Sequence, residues 1–312
     1  MNILDATDSF VVRYPQAVEF AEKQLSVFWT HDEIKVEKDV HDILTNLTPQ
    51  EKHGVLTVLR LFSLYELFAG RDYWTGSVMS EFPRPEIQRM ASVFGMFELA
   101  VHQPFYNKIN VALGLDTDEF YLSYLDDPAL SERISFLDNV PTDYELPVFS
   151  MLEGAVLYSS FAFLKHFQSQ GKNKLTNIVR GINFSVRDEN LHSEAGAWLF
   201  REREIVRPMP NPEHLYEFAK VLYEHECAII NKIFELGPID GITETQLRHF
   251  VESRINQCLQ QLGLKSMFKV GYNPIGTWFY NGINNFKYND FFAGQGNEYS
   301  RGWDETSFTW SK

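Results

Sequence analysis

The sequence predicts an all-α protein: a four-helix bundle core with additional helices around it and a flexible C-terminal tail. Almost no stretch alternates apolar and polar residues with period two, and no hairpin signal separates apolar runs. Four helical stretches stand out instead, and two of them, VLTVLRLFSLYELFAG and FSMLEGAVLYSSFAFLKHF, are apolar on most faces, the pattern of helices buried all round. Each of the four carries an acidic group: Glu66, then Glu98 with His102, then Glu153, then Glu189 with His192.

Residues 1–30 are mixed and end near the aromatic pair Phe28-Trp29. Thr48-Pro49-Gln50-Glu51 reads as a helix start, with Thr48 as N-cap, Pro49 in the first turn and Glu51 completing a capping box. From there VLTVLRLFSLYELFAG forms the first core helix, expected to end at Gly70. The second runs from about Pro85 through ASVFGMFELAVH toward Asn110. A helical segment near 118–137 comes next, then the turn-rich VPTDYELP. FSMLEGAVLYSSFAFLKHF is the third core helix and QGKNK a loop. LTNIVRGINFSVRDENLHSEAGAWLF is the fourth. Residues 212–236 and 243–262 read as amphipathic helices outside the core. Residues 1–275 then form one helical domain. The segment 276–312, rich in Gly, Asn and aromatics, lacks a helical period and looks like a segment that orders on a partner.

Composition narrows the function. With 312 residues, 44% of them hydrophobic, the chain can bury a large core. A net charge of -14 argues against an electrostatic nucleic-acid binder. No apolar run is expected to reach the roughly 18–20 residues that span a membrane. MNILDATDSF lacks the features of a signal peptide. Cys227 and Cys258, the only cysteines, form no CxxC pair, which points to a reduced, cytoplasmic setting.

The acidic groups repeat one order: a lone Glu, then a Glu and a His on one helix face. Glu189 and His192 are spaced i, i+3, and Glu98 and His102 are spaced i, i+4; both spacings share a face. An ionised carboxylate in an apolar helix is costly unless it is paired or metal-bound. Six such ligands on four helices suit a pair of metal ions, and carboxylate with imidazole suits iron or manganese.

These motifs resemble the small, radical-generating subunit of class I ribonucleotide reductases, over most of the chain. RDENLH resembles that family's RDEAxH box and implies Glu189 and His192 as ligands. LEGAVLYSSFAF resembles the box of a Glu before an aromatic-Tyr-x-Ser-Phe run, with Leu157 in place of the first aromatic, and implies Glu153. YELFAGRD implies Glu66 as first ligand, where many members have Asp. In ELAVHQPFY the four-residue step from His102 to Tyr106 matches the radical-tyrosine box.

Two departures stand out in that box. The first pair is Glu98-x-x-x-His102 rather than Glu-x-x-His, and a π-bulge would absorb the extra residue. Pro104 removes a helix hydrogen bond and should kink the chain there.

The resemblance implies a ferritin-like fold, a homodimer and a dinuclear centre of two iron or two manganese ions, with a flavoprotein activator if the metal is manganese. It implies Tyr106 as radical site, with Phe105, Leu157 and Phe161 as its apolar wall. Trp29 and Asp188 match positions that link the metals to the surface. Tyr299 resembles the tail tyrosine that relays the radical, with Tyr288 and Trp303 nearby, and SFTW resembles the tail that docks on the large subunit. With no catalytic cysteines and no nucleotide-phosphate loop, this chain would need that subunit to reduce a nucleotide. The rival reading is a ferritin-like di-metal oxidase or oxygenase acting on a small molecule, which needs the metals but not Trp29, Asp188 or the tail. A metal-storage protein and a metal-free helical protein fit the same residues less well.

Overall fold

The structure, a computed structural model, describes residues 2–280. In chain order the helices are α1 (Pro15–Ser26), α2 (Pro49–Leu67), α3 (Met79–Glu81), α4 (Pro85–Phe97), α5 (Gln103–Ala112), α6 (Asp118–Leu122), α7 (Pro128–Asp138), α8 (Thr142–Met151), α9 (Tyr158–Lys165), α10 (Thr176–Val206), α11 (His214–Ile233) and α12 (Glu244–Gln261). Among the described residues the only β feature is an isolated bridge between Ile239 and Ile242. The all-α expectation holds.

Three of the four core helices are not regular. α2 continues as a π-helix over Phe68–Val78. α4 and α5 are joined by a π-helix at Glu98–His102, and α8 and α9 by another at Leu152–Val156. Only α10 runs straight through the core as an α-helix. π turns inside α-helices occur frequently at functional sites. Here each one lies at, or directly after, an acidic residue of the core.

Local chemistry explains the starts and the irregular stretches. Thr48 and Glu51 form the expected capping box: the Thr48 N–H donates to Glu51 Oε2 at 2.8 Å, and the Glu51 N–H donates to Thr48 Oγ1 at 3.2 Å. α10 begins behind Leu175, whose φ is 55°, and its first donors are met from far along the chain. Asp39 accepts from the Ile178 N–H at 2.6 Å, and Asp42 from the Leu175 N–H at 3.0 Å. These carboxylates suit the positive end of a helix.

Four expectations need correction. The helix through Glu66 does not end at Gly70, because the chain widens into π turns there and the Thr75 hydroxyl donates to the Gly70 carbonyl at 2.9 Å. VPTDYELP is not a turn: α8 starts at Thr142 and contains Pro147. Pro147 removes the donor that would reach the Asp143 carbonyl, and Arg203 Nη2 supplies it instead at 2.6 Å. The run Thr142–Gln168 is long and apolar enough to cross a membrane by length and composition, and its apolar window is wholly buried in the protein. Finally, residues 274–280 are helical, and Phe279 is buried against Phe250 and Tyr158 at ring distances of 4.9 and 5.6 Å. The first residues assigned to the tail therefore belong to the body.

The core lies between α2, α4–α5, α8–α9 and α10, with α11 and α12 packed outside. Gly154 lets two of these elements close on each other. A Cβ there would collide with Ser193 of α10 and Cys258 of α12.

Candidate metal centre

Six buried side chains converge in the middle of the bundle. Glu66 comes from the end of α2, Glu98 and His102 from the ends of one π segment, Glu153 from another, and Glu189 and His192 from α10. Their donor atoms fall into two overlapping groups, Glu66–Glu98–His102–Glu189 and Glu98–Glu153–Glu189–His192, each with all ligand atoms within 4.8 Å of one another. Glu98 and Glu189 belong to both. The sequence-predicted ligand set is thus brought together complete.

The extra residue between Glu98 and His102 is absorbed by the π-helix that spans those two residues. A π turn takes in about one residue more per turn than an α turn, so the two side chains still project together. His102 Nδ1 lies 3.0 Å from Glu98 Oε2, 3.4 Å from Glu66 Oε2 and 3.2 Å from Glu189 Oε1. The hydrogen-bond register changes where the π turn gives way to α5, and Pro104 sits in that first turn, where its missing N–H costs least.

The electrostatics call for cations. Among the described residues, the side chains that ion-pair with these glutamates are the two histidines. Burial, and then the neighbouring Glu98, push the Glu66 carboxyl well above the usual range, and burial does the same to Glu153. Burial also opposes charge on Glu98, but the imidazoles of His102 and His192 outweigh it and hold that carboxyl well below the usual range. Burial opposes charge on the histidines too, and Glu98 overcomes it: His102 is raised well above its ordinary value and His192 to about 10. Without cations, protons gather on this cluster in their place.

Several polar atoms are also left over. Glu66 Oε1, Glu98 Oε1, Glu153 Oε2, Glu189 Oε1 and both ring nitrogens of His192 are buried without a hydrogen-bond partner. His192 Nδ1 and Glu98 Oε1 approach to 2.6 Å yet are not aligned as a hydrogen bond. Lone pairs converging on one point are what two ligands of one ion present. Buried polar atoms are otherwise rarely unpaired, so this donor set fits a pair of divalent ions.

A second layer orients these candidate ligands. Asp188 Oδ2 takes a hydrogen bond from the Trp29 indole N–H at 2.8 Å and lies 3.1 Å from His102 Nε2. That contact leaves His102 Nδ1 facing the carboxylates. Trp29 is buried, and beside it Phe28 is 46% exposed, so this line runs from the cluster toward the surface. On the opposite side the Trp74 indole N–H donates to Glu153 Oε1 at 3.0 Å, leaving Oε2 free to ligate.

Tyr106 is fully buried. Its ring packs on Phe105 at 4.9 Å and stacks on Phe62 at 4.7 Å, and Phe62 in turn stacks on Phe161 at 5.1 Å. Leu157 is buried at the entry to α9. The phenol donates to Ser185 Oγ at 3.3 Å. Burial and then the charge of Glu66 push its pKa well above the ordinary value, so it is a neutral phenol. Tyr288, Tyr299, Trp303 and the SFTW run lie outside the described residues.

Sequence reasoning missed Trp74, Phe62 and Ser185. The signal for the last two was present: Phe62 is four residues before Glu66, and Ser185 is four before Glu189. Trp74 lies in the π stretch, where helical spacing no longer tells which residues share a face.

Comparison with known proteins points to one family. A family model described as ribonucleotide reductase, small chain, matches residues 6–274. The chain is 26% identical to a ribonucleoside-diphosphate reductase subunit beta of Halalkalibacterium halodurans, over 96% of this chain and 89% of that one. It is 23% identical to a probable ribonucleoside-diphosphate reductase small subunit of Invertebrate iridescent virus 3, over 95% of this chain and 85% of that one. Among solved structures it resembles a ribonucleotide reductase R2 subunit of Clostridium botulinum (TM-score 0.79, 19% identity, 91% and 94% of the two chains). It also resembles a dimanganese(II) NrdF of Streptococcus sanguinis (TM-score 0.75, 21% identity, 89% and 99%).

Proposed function

This chain belongs to the ribonucleotide reductase small-chain family, and on that premise we propose how its residues carry out the small subunit's part. It is the small subunit of an oxidoreductase that works with a large subunit. In our reading the six converging side chains would hold two ions, Glu66 and His102 belonging to one group, Glu153 and His192 to the other, and Glu98 and Glu189 to both. The observation that carries this reading is the pair of overlapping four-residue groups with two members in common.

Bound there, two iron or two manganese ions would supply, with an oxygen species, the oxidising power to take one electron from a phenol. The chain's own groups do the rest. Asp188 fixes the His102 ring, and Trp74 fixes one oxygen of Glu153. Phe62 and Phe105 pack on Tyr106, the proposed radical site, and Phe161 stacks on Phe62; with the buried Leu157 they are our candidates for an apolar wall that would keep water and reductants away. Trp29 and Asp188 link the cluster to the surface as an electron path, with the carboxylate managing the coupled proton.

Tyr299 and the SFTW run would continue that path and dock on the large subunit. A homodimer, a flavoprotein activator if the ions are manganese, and a cytoplasmic setting complete the reading; the two unpaired cysteines fit that setting. A di-metal oxidase would leave the Trp29–Asp188–His102 line without a use, which favours the reductase role. The test is metal content: about two ions per chain in the wild type, and a sharp fall in Glu153→Ala and His192→Ala. Full retention in both variants would overturn the assignment.

A further inference from the structure

Ser185 is fully buried on α10, and it lies on the same helix face as Glu189, four residues on, and His192, seven residues on. A serine hydroxyl inside a helix competes with the backbone and is costly in an apolar interior unless it finds a partner. The partner it has is Tyr106: the phenol O–H donates to Ser185 Oγ at 3.3 Å. Among the described residues the Tyr106 hydroxyl donates to no metal-ligand carboxylate, and Glu66 Oε1 lies buried without a hydrogen-bond partner. A hydroxyl is both a donor and an acceptor. While Ser185 accepts from the phenol its own proton is unused, since among the described residues the hydroxyl donates to nothing else.

We propose that Ser185 is the residue that holds the Tyr106 oxygen in both of its states, accepting from the phenol and, after a rotation about its Cβ–Oγ bond, donating to the phenoxyl. This rests on the reading of Tyr106 as the radical site. Oxidising a phenol removes one electron and one proton; the ions, if bound and oxidised, would accept the electron, and the oxygen species reduced with them would accept the proton. The oxygen left behind can only accept a hydrogen bond. Ser185 keeps its proton throughout and turns it toward that oxygen, without any movement of α5 or α10.

Such a bond draws spin density from the oxygen and lengthens the life of the radical. The surrounding wall, Phe62, Phe105 and Phe161, offers carbon alone. Ser185 is thus the polar contact through which the protein sets the energy of that oxygen.

The test is high-field EPR and proton ENDOR of the metal-loaded protein in H2O and D2O, for the wild type, Ser185→Ala, and the matched pair Ser185→Thr and Ser185→Val. Thr and Val have nearly the same shape and differ in the hydroxyl, so the pair separates hydrogen bonding from packing. The expected result is one solvent-exchangeable proton coupled to the radical in the wild type and Ser185→Thr. That coupling is absent in Ser185→Ala and Ser185→Val, the largest g component rises, and the radical decays several-fold faster, at unchanged metal content. A coupling that persists in Ser185→Ala and Ser185→Val overturns the inference, as does a wild-type radical without such a coupling. A radical that survives Tyr106→Phe overturns the reading of Tyr106 itself, and the two failures are therefore distinguishable.

Discussion

Trp29 and His102 share one oxygen: Asp188 Oδ2 lies 2.8 Å from the Trp29 indole nitrogen and 3.1 Å from His102 Nε2, with all three side chains buried. One carboxylate therefore orients a proposed metal ligand and fastens an oxidisable indole to it. Without it, two buried polar nitrogens lose their acceptor.

Asp188→Ala should weaken metal binding by about 10–100-fold, the usual effect of removing the group behind a ligating histidine. It should also destabilise the metal-free protein by about 1–3 kcal/mol for the buried group left unpaired. Metal titration and urea unfolding check both. Unchanged affinity would show that another group orients His102.

The π turn at Glu98–His102 is an insertion that the helix absorbs. Deleting Ala100 should return the segment to an α-helix with Glu and His three residues apart, still on one face, and metal content should stay near the wild-type value. Deleting Asn190 from the regular α10 turns everything beyond it by about 100° and should abolish binding. Equal loss in both deletions would contradict this account of the spacing.

Legibility in the sequence tracks the regularity of the backbone. The six candidate ligands can be read because an acidic residue in an apolar stretch, such as Glu66 or Glu153, is conspicuous, and the order Glu, Glu–His is repeated. α10, the straight helix, is legible nearly end to end. Errors arise where the period changes. At Gly70 the helix widens instead of stopping, so Trp74 and its bond to Glu153 are invisible to helical spacing. At Pro147 a helix survives because Arg203 meets the Asp143 carbonyl from a distant helix, which no local pattern encodes. Residues 276–280 of the last helical run read as tail because Gly276 and its aromatic neighbours share the composition of residues 281–312. The run's place is set by tertiary contacts, Phe279 in the core and its carbonyl bonded by Lys165 Nζ at 2.9 Å.

Lys165 makes stability depend on pH. Burial lowers its pKa from 10.5 to about 7. Between those values the unfolded chain carries a proton that the folded chain does not, so this group makes stability rise with pH across that window. Below about 7 the penalty is constant. Lys165→Met should remove this contribution, so the wild type should gain more in melting temperature than the variant from pH 7 to pH 9.5. The same pH slope in both would show that Lys165 is not held neutral.

Removing the chain from Asn297 onward should leave metal content and melting temperature nearly unchanged and stop turnover with the large subunit. A segment that orders on its partner adds affinity there without stabilising the body. A peptide of the last ~15 residues should compete with the intact chain. Normal turnover by the truncated protein would remove the docking role and the Tyr299 relay together.

The most direct measurement is EPR of wild type and Tyr106→Phe after loading with metal and oxidant, with metal analysis of the same samples. The substitution removes one hydroxyl from a buried ring and leaves the six proposed ligands in place. About two ions per chain in both proteins, with a tyrosyl signal in the wild type alone, is the predicted result. A radical of unchanged intensity and line shape in Tyr106→Phe, or a metal-loaded wild type that never forms one, would contradict it.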